Sequence, residues 1–192
     1  YKDDFGAEAS EGVKKHKAFE DRLCRGKPLP MDLQHHEPIL AKLAEKPGES
    51  FTEQKLAINR NYEPTGFFDN DVYARAVIDY MKISGSKCLI VDHKFGKVHH
   101  DPDQLMMFIG FISIFKPEIE IYTAAYYWAK AKEFTKLTFR RDDLPQVWNS
   151  LLPRVEKMET AVKLFEFPPK QSGLCKKHCP VLSCPHNGKG SI

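Results

Sequence analysis

The stretch Tyr73–Lys94, YARAVIDYMKISGSKCLIVDHK, decides how this chain folds. Tyr73 to Ile83 predicts a strand, Ser84-Gly85-Ser86 a turn, and Lys87 to Lys94 a second strand carrying the apolar run Cys88-Leu89-Ile90-Val91. Both strands carry an acid directly after an apolar run: Asp79 after Ala76-Val77-Ile78, and Asp92 after Val91. Residues two apart on a strand share a face, so Asp92 and Lys94 project together. Antiparallel pairing of the hairpin can bring Asp79 beside Asp92. Charges at the end of a buried strand are costly unless they have partners.

Outward from the hairpin, Ala9 to Arg25 reads as an amphipathic helix with Val13, Phe19 and Leu23 on its apolar side, ended by Gly26 and Pro28. A second helix is expected from Leu33 to Glu45, closed by Pro47-Gly48. Phe51 to Asn59 reads as a strand of impure alternation, and Pro64-Thr65-Gly66 as a turn. Asp103 to Phe115 predicts a buried helix stopped by Lys116-Pro117. Ile119 to Ala129 predicts a strand, with Thr135 to Phe139 beside it. Asp142 to Phe165 predicts a helix with Asp142 as a possible N-cap, a stripe of Val147, Leu151, Val155, Met158 and Val162, and a bend at Pro153. From Pro168 the chain is rich in Pro, Gly and Cys without periodicity. The expected fold is α/β: a central mixed β-sheet flanked by helices. The expected division is a core at 1–167 and a cysteine-rich tail at 168–192 packed on it.

With 42% hydrophobic and 29% charged residues, disorder is excluded as the default reading. No apolar run reaches the length of a membrane span, and no signal-peptide pattern opens the sequence, so a cytoplasmic location without membrane contact is expected. The net charge of +3 agrees with a polyanionic partner without requiring one. Of the five cysteines, Cys24 and Cys88 stand alone while Cys175, Cys179 and Cys184 crowd the C-terminus. That layout points to a local metal or cluster site rather than a disulfide framework.

Two carboxylates converging on one point repel each other, and a divalent cation relieves the repulsion; hard oxygen ligands suit magnesium or manganese. Phosphodiester hydrolysis needs an activated water, charge relief in the transition state and help for the leaving oxygen, which a metal and a neighbouring lysine can supply. An Asp-x-Lys triplet alone, however, reads as an ordinary ion pair.

The neighbourhood is more specific. Asp79, then Asp92-x-Lys94, then Gln104-x-x-x-Phe108 on the next helix, with Gly12-x-x-x-His16 upstream, resembles the PD-(D/E)XK nuclease superfamily. Within it the pattern is similar to the RecB-type branch, which includes phage exonucleases and CRISPR-adaptation nucleases. The resemblance implies a restriction-endonuclease-like core. It implies His16, Asp79, Asp92 and the His93 carbonyl as ligands of Mg2+ or Mn2+, and Lys94 as the catalytic lysine. Glu53 takes a supporting place near the metal, and Gln104 contacts DNA or fixes the site. The family carries Tyr where this chain has Phe108. The implied activity is a DNA exonuclease in recombination, repair or phage DNA processing, with a helicase or recombination partner. An endonuclease of the same superfamily and a non-catalytic DNA-binding scaffold are the alternatives.

Cys175-x3-Cys179-x4-Cys184 offers three soft ligands in a segment with little else to order it, which suits zinc or an iron–sulfur cluster. In RecB-type relatives with such a tail, these three and an N-terminal cysteine hold a 4Fe-4S cluster that staples the chain ends. No cysteine precedes His16 here. A zinc site completed by His178 or His186, and three unligated thiols, are the other readings. For DNA, Lys14, Lys15, Lys17, Arg60, Arg75, Lys97, Arg140, Arg141, Lys170, Lys176 and Lys177 provide scattered phosphate contacts. Tyr122, Tyr126, Tyr127 and Trp128 are expected to be mostly core, with one or two rings free to stack on bases. His35-His36 and His99-His100 read as exposed, because adjacent residues do not face one another.

Overall fold

A computed structural model describes residues 7–99, 101–176 and 178–188. Its elements are α1 (Ala7–Arg25), a 3-10 turn (Met31–His36), α2 (Glu37–Ala44), β1 (Glu49–Ile58), β2 (Pro64–Thr65), β3 (Ala74–Ser84), β4 (Lys87–Lys94), α3 (Asp103–Phe115), β5 (Ile121–Trp128), β6 (Glu133–Arg140) and α4 (Leu144–Leu164). The strands form one sheet in the order β2-β1-β3-β4-β5-β6. All pairs are antiparallel except β4 with β5, the two strands that α3 connects. The protein is thus a mixed α/β structure with helices on its sheet.

Each face of the sheet has its own core. On one side Ile78, Met81, Ile90, Tyr122 and Ala124 pack with Leu105, Phe108, Ile109 and Ile112 of α3 and Val147 of α4. On the other, Tyr80, Val91 and Tyr127 pack with Phe19 and Leu23 of α1 and Leu40 and Leu43 of α2. Burying a side chain such as Phe19, 0% exposed, contributes about 1.5–3 kcal/mol. α3 and α4 approach closely at Gly110, where a Cβ would stand 3.1 Å from the Trp148 ring.

The strand β1 alternates impurely for a structural reason. Thr52 pairs with Tyr80 and Gln54 with Ile78, but Glu53 and Asp79, opposite one another, are left out of the ladder. Side-chain phase changes there in both strands. Ile78 joins the α3-side core and Tyr80 the α1-side core, although residues two apart should share a face; Phe51 and Leu56, five apart, contact the same core. Glu53 takes a left-handed backbone, φ 49°. Such a residue-level irregularity aims a side chain out of the regular pleat.

Three local expectations are corrected. The helix expected over Leu33–Glu45 is a 3-10 turn followed by α2, because Pro38 lacks an N–H and occupies the first turn of a new helix. Asp142, expected as the cap, lies instead within a 3-10 turn over Arg141–Asp143 that precedes α4, in which Asp143 Oδ2 accepts the Arg140 N–H at 2.8 Å. Of the expected stripe on α4, Val147 is buried while Met158 and Val162 are 56% and 57% exposed. The chain divides into two compact units between Leu151 and Leu152. Among the described residues no helix is long and apolar enough to cross a membrane.

The α1-side core also holds a buried histidine, where the pair His35-His36 was expected to be exposed. His36, 3% exposed, meets the Tyr127 hydroxyl through Nδ1 at 2.7 Å, and burial, followed by nearby His35, pushes its pKa down to about 4. The neutral imidazole is the form that folds. Between the ordinary value near 6.5 and about 4, the unfolded chain binds the proton and the folded chain does not, so stability falls as pH falls through that window. The loss approaches about 3 kcal/mol at its lower end. Thermal melting from pH 7.5 to 4.5 is expected to decline more steeply for the wild type than for His36→Gln; parallel declines would show that His36 does not contribute.

Candidate active site

Three elements converge where the β1–β3 ladder is interrupted. α1 brings His16, β3 brings Asp79, and β4 brings His93. The Asp79 Oδ2 accepts the His93 backbone N–H at 2.8 Å and lies 3.2 Å from His16 Nδ1 and 3.5 Å from His93 Nδ1. Among the described residues this is the one group of three metal-capable side chains whose donor atoms all lie within 4.8 Å of one another. Burial would push the Asp79 carboxyl up, but His16 and His93 outweigh it and hold Asp79 well below the usual carboxylate range. Its partner responds in the opposite sense: the contact with Asp79 raises the His16 imidazole against the opposing pull of burial.

The second half of the site lies on β4 and α3. Lys94 Nζ stands 2.8 Å from Asp92 Oδ2 and donates to Gln104 Oε1 at 2.7 Å. The ammonium also lies 5.3 Å from the centre of the Tyr126 ring, on the neighbouring parallel strand. The Asp92–Lys94 contact is an ion pair by distance, yet its angle is not that of a hydrogen bond, and buried Asp92 Oδ2 has no directed donor. Burial, then repulsion from Asp79, pushes the Asp92 carboxyl up, against the pull of Lys94. Glu53 is raised in the same way, first by burial and then by Asp79 and Glu20. A buried Asp92 carboxylate oxygen without a donor, with Asp79 near enough to repel it, is a donor set that a hard divalent cation would satisfy.

Every site residue read from the hairpin and its flanks is therefore near the others, in two groups. His16, Asp79 and His93 form one, Asp92, Lys94 and Gln104 the other, and Glu53 interacts electrostatically with the first. The sequence suggested the His93 carbonyl as a ligand; the structure also turns the His93 ring toward Asp79, a feature without a sequence signal. Tyr126 was missed as a neighbour of Lys94, because only the β4–β5 register, Asp92 opposite Tyr126, brings them together.

No family model and no curated protein matches the chain. Among solved structures, the "Putative exonuclease" of Eubacterium rectale aligns with 92% of this chain and 74% of its own, at 13% identity and a TM-score of 0.47. The crystal structure of SSO0001 aligns with 94% of this chain and 80% of its own, at 12% identity and a TM-score of 0.41.

The remaining candidates separate by burial. Tyr122, Tyr126, Tyr127 and Trp128 are all at most 4% exposed, so these rings are core rather than an open stacking surface. Phe108, four residues after Gln104, is 1% exposed and packs in the α3-side core. Lys15 and Lys17 pair along α1 with Glu11 and Glu20. Arg141 donates to the backbone carbonyls of Pro117 and Ile119. His100 and Lys177 lie outside the described residues.

The three tail cysteines are free thiols of intermediate exposure. Cys175 Sγ accepts the Ser172 N–H at 3.2 Å, and Asn187, 2% exposed, donates from Nδ2 to the carbonyls of Cys179 and Val181 at 3.1 and 2.8 Å. Gly188 N donates to the Cys175 carbonyl. Turn hydrogen bonds thus fold the cysteine segment onto itself. Cys88, by contrast, is buried, and burial pushes its thiol up to about 12, which leaves it unreactive.

Proposed function

We propose that the chain is a metal-dependent DNA exonuclease of the PD-(D/E)XK superfamily, RecB-type branch. The observation that carries this reading is the placement of Lys94, held by Asp92 and Gln104 within a site that also gathers His16, Asp79 and Glu53. A structural ion pair would need neither Gln104 nor the second acid.

His16, Asp79 and Asp92 are the residues that would hold Mg2+ or Mn2+, with His93 and Glu53 beside them. When bound, such an ion supplies positive charge next to the scissile phosphate and lowers the pKa of water. Asp79 orients His16 and receives the β4 backbone through the His93 N–H. Lys94 donates from Nζ toward the phosphate or the attacking water, and Gln104 Oε1 restricts where that ammonium can point. The chemistry requires no base readout, which suits degradation of any sequence. In the tail, Cys175, Cys179 and Cys184 would hold an iron–sulfur cluster or zinc in a structural role once drawn together, since their sulfurs are not among the donor atoms gathered within 4.8 Å of one another. A closed site leaves no position for substrate.

The test is incubation of linear and closed-circular DNA with magnesium, manganese or EDTA. Loss of linear DNA alone, and only with metal, is the expected result. Cutting of circles would move the assignment to an endonuclease. Absence of cutting by the folded protein would overturn the enzymatic reading in favour of a binding scaffold.

A further inference from the structure

The sheet face that holds Asp79 continues away from the acids as an open strip. Arg75, Val77 and Asp79 share that face on β3, and Lys55 lies beside Val77 in register on β1. Lys55 and Arg75 are exposed, and Val77 is 37% exposed. At roughly 3.3 Å per residue, Arg75 stands about 13 Å along the strand from Asp79.

An aromatic pair closes the far end of the strip. Phe67 and Phe68 meet edge to face at 5.1 Å, and Phe68 is 79% exposed and belongs to neither core. Lys55 Nζ lies 5.6 and 5.7 Å from the two ring centres, and the Arg75 guanidinium 5.6 Å from that of Phe67. The loop is firmly tied. Arg75 Nε donates to the Phe67 carbonyl at 2.5 Å, Asp69 Oδ2 accepts the Gly66 N–H at 2.9 Å, and Asp71 Oδ1 accepts the Thr65 hydroxyl at 2.6 Å. The loop's own acids are thus engaged in its turns, while its cations stand at the rings. A well-braced loop that ends in an exposed phenyl ring gains nothing in either core from that ring.

We propose that this strip seats a single DNA strand leading to the Asp79 site, with a base stacked on Phe68 and phosphates beside Lys55 and Arg75. The inference rests on the nuclease reading and adds the path of its substrate. Aromatic faces flanked by cations bind single strands with little regard to sequence, because every base has a π-face. The distance from Arg75 to Asp79 corresponds to about four stacked nucleotides at 3.4 Å each.

The test uses Phe68→Trp and Phe68→Ala in EDTA, titrated with thymidine oligonucleotides of two and eight residues. Tryptophan emission beyond that of the wild type and fluorescence anisotropy of labelled DNA are read together. The octamer is expected to quench the Phe68→Trp signal and the dimer to leave it unchanged. Phe68→Ala is expected to weaken octamer binding by about ten- to a hundredfold, with unchanged melting because the ring is exposed. Octamer binding without quenching, or undiminished in Phe68→Ala, would overturn the strip and leave the nuclease reading standing. If the wild type does not bind the octamer, the strip falls; cleavage of linear DNA in magnesium then decides whether the nuclease reading falls with it.

Discussion

Lys94→Ala is expected to slow metal-dependent degradation of linear DNA by about 10²- to 10³-fold, the scale on which losing one preorganised charge-stabilising donor is felt. The ammonium is unusually well fixed for a lysine. Asp92 and Gln104 lie within 2.8 Å of it, and the Tyr126 ring lies below it. A flexible four-carbon stem ordinarily gives up rotamer entropy each time it is placed, and here that cost is met in the folded state before substrate arrives. Alanine removes the charge and leaves Gln104 with nothing to hold. It also leaves the Asp92 carboxylate without its cation, so the fold is expected to lose about 1–3 kcal/mol. The comparison is therefore made well below the melting temperature of the variant, which is measured alongside. Undiminished cleavage by Lys94→Ala would reduce Asp92 and Lys94 to a structural ion pair.

The largest expected effect on stability is that of Gly48→Ala. Gly48 joins α2 to β1 with φ at 117°, a conformation that L-residues rarely adopt, and a Cβ there would stand 2.2 Å from the Ile83 carbonyl oxygen. The obstacle is backbone, paired in register with Glu49, so it cannot swing aside as a side chain would. Strain and overpacking each contribute about 1–3 kcal/mol, which together lower stability by about 4 kcal/mol. At about 2–4 °C per kcal/mol for a chain of this size, melting should fall by about 8–16 °C. Gly85→Ala is the control. It shares a positive φ, 56°, but a Cβ there would meet nothing within 4 Å, so its cost is conformational only. Equal losses in the two variants would show that the close approach at Ile83 contributes nothing.

The sequence was most legible where one signal acted alone. β4 runs over Lys87–Lys94 and α3 over Asp103–Phe115, as read, because an apolar run bounded by a turn or a proline leaves little choice. It was least legible where two signals competed. Pro38 starts a helix within a stretch whose periodicity suggested one continuous helix, and the broken alternation of β1 comes from the phase change at Glu53. In the site, the acids and the lysine announced themselves by closing apolar strands. The ring of His93 and the position of Tyr126 did not, since the first depends on how α1 crosses the sheet and the second on a parallel pairing set by α3.

The paired irregularity at Glu53 and Asp79 also sets how this site could be lost. Deleting Asp79 would make Ile78 and Tyr80 neighbours, which suits the opposite faces they already occupy, and would leave Glu53 as a single extra residue on β1, an ordinary bulge. Deleting both would restore simple alternation, with Phe51 and Leu56 at regular spacing on the face they share now. Asp79 is thus a residue that the candidate site uses and the strand pairing does not need. The centre could be silenced by a gap at this position as well as by a replacement, with both cores kept.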